Sequence, residues 1–245
     1  ARKLEIIQNN LYGVDLDPFA VNIARLRLWL SLAVEFEGDE PPPLPNLDFK
    51  IETGDSVCGP SPEGKRQLSM MESVVKNINV LKDRFMMSHG EEKKTLRRQI
   101  VAEKKAFARW AHKGVKVGFD WPVEFAEVFA EGGFDILLAN PPYVRQELIK
   151  DIKPILKDTF PEIYCGTADL YCFFYGRSVE ILRPGGMLVF ISSNKWFRAK
   201  YGENLRKYLA DNCHIHSITD FGELPVFENA ATFPMIFVAQ KNAKA

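Results

Sequence analysis

The sequence predicts an α/β protein built around a parallel, doubly wound sheet. Three observations carry that expectation. Short apolar runs that read as strands alternate with longer segments of helical spacing. The joining loops are short, apart from one long charged helical stretch. Two strand candidates follow one another near the end with no helix between them, which predicts an antiparallel finish.

The elements follow in order. Leu11-Tyr12-Gly13-Val14-Asp15 is the first strand candidate. Asp17 and Pro18 suit the N-cap and first position of a helix over about 19–35, with Ala20, Ile23, Ala24, Leu28 and Leu32 as its apolar face. Glu40-Pro41-Pro42-Pro43-Leu44-Pro45 reads as a stiff loop, residues 47–53 as a second strand, and Gly54-Asp55-Ser56 as its exit.

From about 63 to 110 the chain is rich in Lys, Glu, Arg, Met and Leu with few breakers, and His89-Gly90 marks a bend, so a helical hairpin is expected. Its cations Lys93, Lys94, Arg97, Arg98, Lys104 and Lys105 alternate with Glu91, Glu92 and Glu103. Mixed charges at that spacing predict a solvated face, with a DNA-backbone contact as the alternative.

Phe119-Asp120-Trp121-Pro122 returns the chain to the core, and 134–139 is a buried parallel strand. Thr167-Ala168-Asp169 opens a helix through Leu182. Arg183-Pro184-Gly185-Gly186 is a turn and 187–192 a buried strand. Residues 201–212 are helical, and 215–221 and 232–238 are the last two strands. The expected organisation is a first part over 1–56, a helical insertion over 57–118 and a second part over 119–245.

Composition sets bounds. The 245 residues are 46% hydrophobic and 26% charged, with zero formal net charge. A local basic face can hide in a neutral total, so a nucleic-acid partner is neither favoured nor excluded. There is no apolar run long enough to span a bilayer and no secretory-signal pattern. Cys58, Cys165, Cys172 and Cys213 lie far apart without a CxxC, which argues against a zinc site or a disulfide framework and for a reducing cytoplasm. No metal and no membrane are expected.

Asn140-Pro141-Pro142-Tyr143 is the most informative feature. It follows the apolar strand 134–139, and two prolines without N–H groups must take the chain out of the sheet. The exit lies at the carboxyl edge, where open α/β folds keep ligands. There it presents an amide, a carbonyl that no neighbouring N–H claims, and a ring. Two acceptors on the N–H bonds of an aromatic amine would pull its nitrogen toward tetrahedral geometry and free the lone pair for an incoming methyl group. Tyr143 can stack on the base. Earlier in the chain Asp15 ends one strand, as a ligand for ribose hydroxyls or a helix cap. Asp55 ends the next, as an acceptor for an adenine amino group or a turn residue.

Asn140-Pro141-Pro142-Tyr143 behind its strand resembles the catalytic motif of amino-group DNA methyltransferases. Gly13-Val14-Asp15-Leu16-Asp17-Pro18 is similar to their cofactor-ribose motif, and Gly54-Asp55-Ser56 to their cofactor-adenine motif. The motif order matches the gamma group. Phe119-Asp120-Trp121-Pro122 through Pro142, Thr167-Ala168-Asp169-Leu170-Tyr171 and Pro225-Val226-Phe227-Glu228-Asn229-Ala230 resemble bifunctional, type IIG-like restriction–modification adenine methylases.

The resemblance implies a Rossmann-like class I methyltransferase sheet, with 1–56 as the cofactor-binding part and 119–245 as the catalytic part. It implies S-adenosylmethionine as cofactor, held around Asp15, Leu16, Asp55 and Ser56. The acceptor would be N6 of an adenine flipped out of double-stranded DNA. Asn140, Pro141, Pro142 and Tyr143 would be catalytic. Tyr143 and Phe227 would stack on the base, with Phe233 as runner-up to Phe227 and a core Phe as the other reading of it. Asp169 and Asn194 would line the pocket, though capping explains Asp169 equally well. The family's first strand and glycine-rich loop have no counterpart here, so the chain is expected to be a piece of a larger enzyme, lacking also a target-recognition region, and inactive alone. The rival functions are methylation of a protein glutamine or of RNA, and a non-catalytic DNA-binding or assembly subunit.

Overall fold

The computed structural model describes residues 2–34, 47–62, 68–111, 118–224, 226–227 and 233–243. The chain divides into two compact units, Ala1–Gly59 with Lys65–Ala126, and Pro60–Gly64 with Glu127–Ala245. The stiff loop expected at 40–45 lies outside the described residues, as do Pro225 and 228–232.

In the first unit, α1 (Arg2–Asn10) leads into β1 (Gly13–Asp15), α2 (Pro18–Ala33) and β2 (Ile51–Thr53). β1 and β2 are parallel, pairing Gly13 with Ile51 and Asp15 with Thr53. Asp17 caps α2 as expected: its side chain accepts the Phe19 N–H at 2.8 Å, and Pro18 stands at the first helical position, where a missing N–H is harmless. The buried stripe of α2 differs from the expected one. Val21 is buried, whereas Ile23 is exposed.

β2 is shorter than expected, because Leu47 to Lys50 form a turn rather than strand. Lys50 N–H and Ile51 N–H both donate to the Leu47 carbonyl, at 3.2 and 3.3 Å. Phe49 holds a positive φ of 64°, a strained choice for a bulky residue. That strain is offset by its ring, which is buried edge-on against Phe85 at 5.2 Å.

Phe85 belongs to the helical hairpin of α3 (Leu68–Met87) and α4 (Gly90–Ala111), which turns at Ser88-His89 as anticipated. Gly90 sits at φ 59°. Leu96, Ile100 and Phe107 form a buried stripe on α4. Lys104 falls on that stripe, and this corrects its assignment to a solvated face. It is buried, its Nζ 2.5 Å from Glu124 Oε2. Lys82 of α3 is buried too and donates to the Glu124 carbonyl at 2.7 Å. Both ammonium groups face the Phe49 ring. Lys94 and Arg97 do stay exposed. Glu124 closes α5 (Trp121–Glu124), and α6 (Ala126–Ala130) carries the chain onward.

The second unit holds a four-stranded sheet in the order β3-β4-β6-β5. β3 (Phe134–Ala139) runs parallel to β4 (Leu182–Ser193), while β6 (Pro234–Lys241) lies antiparallel between β4 and β5 (Cys213–Asp220). The antiparallel finish is therefore present. Helices α7 (Lys153–Thr159), α8 (Leu170–Ile181), α9 (Lys195–Arg198) and α10 (Glu203–Asn212) join these strands. The expected turn at 183–186 is instead a bulged start of β4: the register with β3 slips between Phe134 and Ile136, and Gly185 takes φ 78°. The core is aromatic. Tyr175 packs on Phe190, Trp196 and Phe237 at 4.8, 5.1 and 5.5 Å between ring centroids, and all four are buried.

The strands thus form two sheets rather than one, and no strand among the described residues bridges them. One consequence corrects the expectation of a fully buried strand at 134–139. Among the described residues β3 pairs with β4 alone, and Ile136 and Leu138 are 61% and 71% exposed. An apolar run is buried on both faces only where elements cover both, and the described residues leave this face open. No described helix is long and apolar enough to cross a membrane.

Candidate functional site

The site residues lie at carboxyl ends of parallel strands, in two groups. In the first unit, Asp15 ends β1 and Asp55 follows β2 by two residues. The strand register sets Asp15 beside Thr53, and the Gly54 N–H donates to the Asp15 carbonyl at 2.9 Å. Two acids thus leave neighbouring strands on the same edge. Each uses one oxygen to close its own loop. Asp15 Oδ1 accepts the Asp17 N–H at 2.8 Å. Asp55 Oδ1 accepts the N–H groups of Val57 and Cys58 at 3.0 and 2.9 Å, an Asx-type turn. Asp15 and Leu16 are exposed, and Asp55 and Ser56 half-buried.

The Asp55 loop is braced by a segment that the sequence had marked only as a return to the core. Phe119 N–H donates to the Asp55 carbonyl at 2.9 Å, and Trp121 Nε1 donates to the Ser56 carbonyl at 3.0 Å. The approach is so close that a Cβ on Gly59 would lie 2.0 Å from the Phe119 carbonyl oxygen. Glycine is the residue that permits this contact.

In the second unit, Asn140 follows the last β3 residue, Ala139, which pairs with Phe190 of β4. Asn140 and Pro142 are exposed, Pro141 is buried and Tyr143 is half-buried. No described residue takes a hydrogen bond from or gives one to the Asn140 amide or the Pro141 carbonyl. The Val144 N–H donates to the Pro142 carbonyl at 2.9 Å, making Tyr143 the centre of a three-residue turn. Its ring lies 6.3 Å from that of Tyr171. Its hydroxyl is buried without a hydrogen-bond partner among the described residues, and that burial raises the phenol's pKa above the ordinary value.

A polar network underlies this turn. Tyr171 and Tyr201 share a hydrogen bond between hydroxyls at 2.6 Å, and Tyr175 and Ser192 share one at 2.8 Å. Desolvation pushes Tyr201 up to about 12 and raises Tyr171 and Tyr175 as well, so all three are neutral phenols at physiological pH. Lone aromatic residues on an apolar helix face give no signal of such pairing in the sequence.

The remaining candidates are distributed unevenly. Asn194 follows β4 at the same sheet edge as Asn140, but its amide is committed: Nδ2 donates to Asp220 Oδ1 at 2.9 Å. Asp169 precedes α8 without capping it by its side chain. Instead its Oδ1 accepts the Gln146 N–H at 3.0 Å. Phe227 is half-buried and Phe233 exposed. Among the described residues no group of three or more His, Cys, Asp or Glu could hold a metal ion. All four cysteines are free thiols.

The chain is 43% identical over 108 residues to the type II methyltransferase M.BstVI of Geobacillus stearothermophilus, covering 43% of this chain and 19% of that protein. It is 32% identical over 157 residues to the type II methyltransferase M.XhoI of Xanthomonas vasicola, covering 62% of this chain and 29% of that protein. The chain therefore spans under a third of either relative. Among solved structures, a nuclease-deletion mutant of the type ISP restriction-modification enzyme LlaGI, in complex with a DNA substrate mimic, shares the fold at 12% identity. The TM-score is 0.51, over 98% of this chain and 18% of that one. The family described as Eco57I restriction-modification methylase matches residues 9–227, nearly the whole chain, and the chain belongs to that family.

Proposed function

We propose that this chain carries the machinery for methyl transfer from S-adenosylmethionine to N6 of adenine in DNA, within a restriction–modification system. The observation that carries the reading is Asn140-Pro141-Pro142-Tyr143 at the carboxyl end of β3, with its amide and first carbonyl unclaimed by the described residues. Polar groups left unspent at a sheet edge suit a ligand with two N–H bonds.

The residues of the first unit fit the cofactor. Asp15 and Asp55 each spend one carboxylate oxygen on their own loop. The other oxygen suits the ribose hydroxyls at Asp15 and the adenine amino group at Asp55, with Leu16 and Ser56 alongside. When bound, S-adenosylmethionine supplies a methyl group on a positively charged sulfur.

In the second unit, the Asn140 side-chain oxygen and the Pro141 carbonyl oxygen accept the two N–H bonds of the target amine. The nitrogen lone pair is thereby withdrawn from the ring and made available. These acceptors are preorganised dipoles, so no general base has to remove a proton before the carbon–nitrogen bond would form; the donor's methyl–sulfur bond would break in the same step, leaving a neutral thioether, and the surplus N–H proton would pass to water afterwards. Tyr143 takes one face of an adenine flipped from the duplex, and Phe227 the other. A neutral, desolvated Tyr143 suits stacking.

The test uses the full-length protein with donor carrying a labelled methyl group, offered DNA, RNA and protein separately. Label in DNA alone supports the reading. Label in a protein glutamine or in RNA replaces the substrate class. Binding of DNA with no transfer to any of the three leaves the non-catalytic subunit as the answer.

A further inference from the structure

The loop after the Asn140–Tyr143 motif is held by Asp169, Lys153 and the Leu170 backbone. Two prolines leave it without N–H groups for a ladder, so its position must be fixed from elsewhere. Three successive contacts do this. The Leu170 N–H donates to the Val144 carbonyl at 3.0 Å. The Gln146 N–H donates to Asp169 Oδ1 at 3.0 Å. Lys153 Nζ donates to Gln146 Oε1 at 2.5 Å and to the Gly166 carbonyl at 2.7 Å. Segment 144–146 is thus tied to segment 166–170, and Tyr143 lies immediately before the first tie.

The use of Asp169 is telling. It stands at the N-cap of α8 with extended backbone angles, φ −73° and ψ 158°, and Asp is among the best capping residues. Its carboxylate makes no cap there. The helix forgoes that stabilising contact, and the oxygen goes instead to an amide 23 positions away in sequence. The next residue but one, Tyr171, packs against Tyr143. One short stretch therefore both anchors the loop and supports the ring.

We propose that Asp169, assisted by Lys153, is a positioning residue for the transfer. It fixes the turn centred on Tyr143, and so the acceptors of Asn140 and Pro141, without touching the substrate. This rests on the function proposed above. A misplacement of about 1 Å at a reacting centre lowers rates on the order of 100-fold, so a local slackening would be visible in turnover.

The experiment compares Asp169→Ala, Asp169→Asn and Lys153→Met in the full-length protein. Two readouts are taken: single-turnover methyl transfer at saturating DNA and donor, with KM for each, and amide hydrogen exchange over residues 143–149. Asp169→Ala is expected to slow transfer by about 10- to 100-fold with KM for the donor unchanged, and to speed exchange in that segment. Asp169→Asn keeps an oxygen acceptor for the Gln146 N–H and should restore both to within about threefold. Lys153→Met should move both readouts the same way by less. Should Asp169→Ala fail to fold, Lys153→Met carries the comparison alone. Wild-type transfer in Asp169→Ala overturns the proposal. So does equal loss in Asp169→Ala and Asp169→Asn, which would mean that the charge itself is needed. If the wild type transfers no methyl group to DNA, the function proposed above falls, and exchange alone decides the clamp: unchanged exchange in Asp169→Ala refutes it, and faster exchange rescued by Asp169→Asn upholds it.

Discussion

The loops that leave β1 and β2 are closed by their own acids, whereas the loop that leaves β3 is held from outside. Asp15 and Asp55 each accept backbone N–H groups two or three residues ahead. Asn140 and Pro141 accept nothing from the described residues, and Asp169 and Lys153 supply the ties further along. The first plan lets one carboxylate do two jobs, shaping a loop and leaving an oxygen for a ligand. The second separates the jobs, so that the groups proposed to face the ligand carry no structural duty. Substitution should therefore couple stability and binding in the first region and uncouple them in the second.

The largest expected effect tests the uncoupled side. Asn140→Ala removes one of two preorganised acceptors and should lower the transfer rate by about 100- to 1,000-fold. Asn140 is exposed, so the melting temperature should stay within about 1 °C. A matching loss of stability would show that Asn140 also holds its loop. Gly59→Ala tests the braced side. Its Cβ would meet the Phe119 carbonyl at 2.0 Å, so a chemical-denaturation curve should show a loss of about 3 kcal/mol, accompanied by weaker donor binding in calorimetry.

A smaller effect separates the two jobs of Asp55. Asp55→Ala removes the carboxylate that accepts the Val57 and Cys58 N–H groups and should lower stability by about 1–2 kcal/mol together with donor affinity. Asp55→Asn keeps the loop acceptor, so stability should return while donor affinity stays reduced. Equal stability in both variants would show that the loop does not depend on this side chain.

The smallest effect lies at alkaline pH. Burial pushes the Cys213 thiol up from 9.0 to about 11 and the Tyr201 phenol from 10.0 to about 12. Both groups ionise first in the unfolded chain. Their contribution is complete below pH 9 and declines as pH rises through 11 and then 12. Denaturation midpoints measured across that range should fall, and Cys213→Ala should give a shallower slope between pH 9 and 11.

Local chemistry was legible in the sequence. The Asp17-Pro18 helix start, the bend before Gly90, the exit at Asn140 and the antiparallel last strands each follow from a few neighbouring residues, and the structure contains them. What was not legible depends on distant partners. Lys104 reads as a solvated cation until Glu124 is brought to it. Phe49 reads as strand until Phe85 makes a positive φ tolerable. Asp169 reads as a pocket residue or a cap because its hydrogen-bond partner, Gln146, lies on another segment. Phe134 to Ala139 reads as buried, since an apolar run does not announce which of its faces will be covered. The acids at Asp15 and Asp55 were placed correctly at strand ends, but their loop-closing hydrogen bonds show why such residues support two readings at once.

The oxygens of Asn140 and Pro141 are proposed to grip the amino group of adenine. The most direct measurement is the nucleoside composition of DNA methylated by the full-length protein with labelled donor, resolved after complete digestion. All label is expected to elute as N6-methyl-2′-deoxyadenosine. Label in N4-methylcytosine or 5-methylcytosine, or DNA that remains unlabelled, would contradict it.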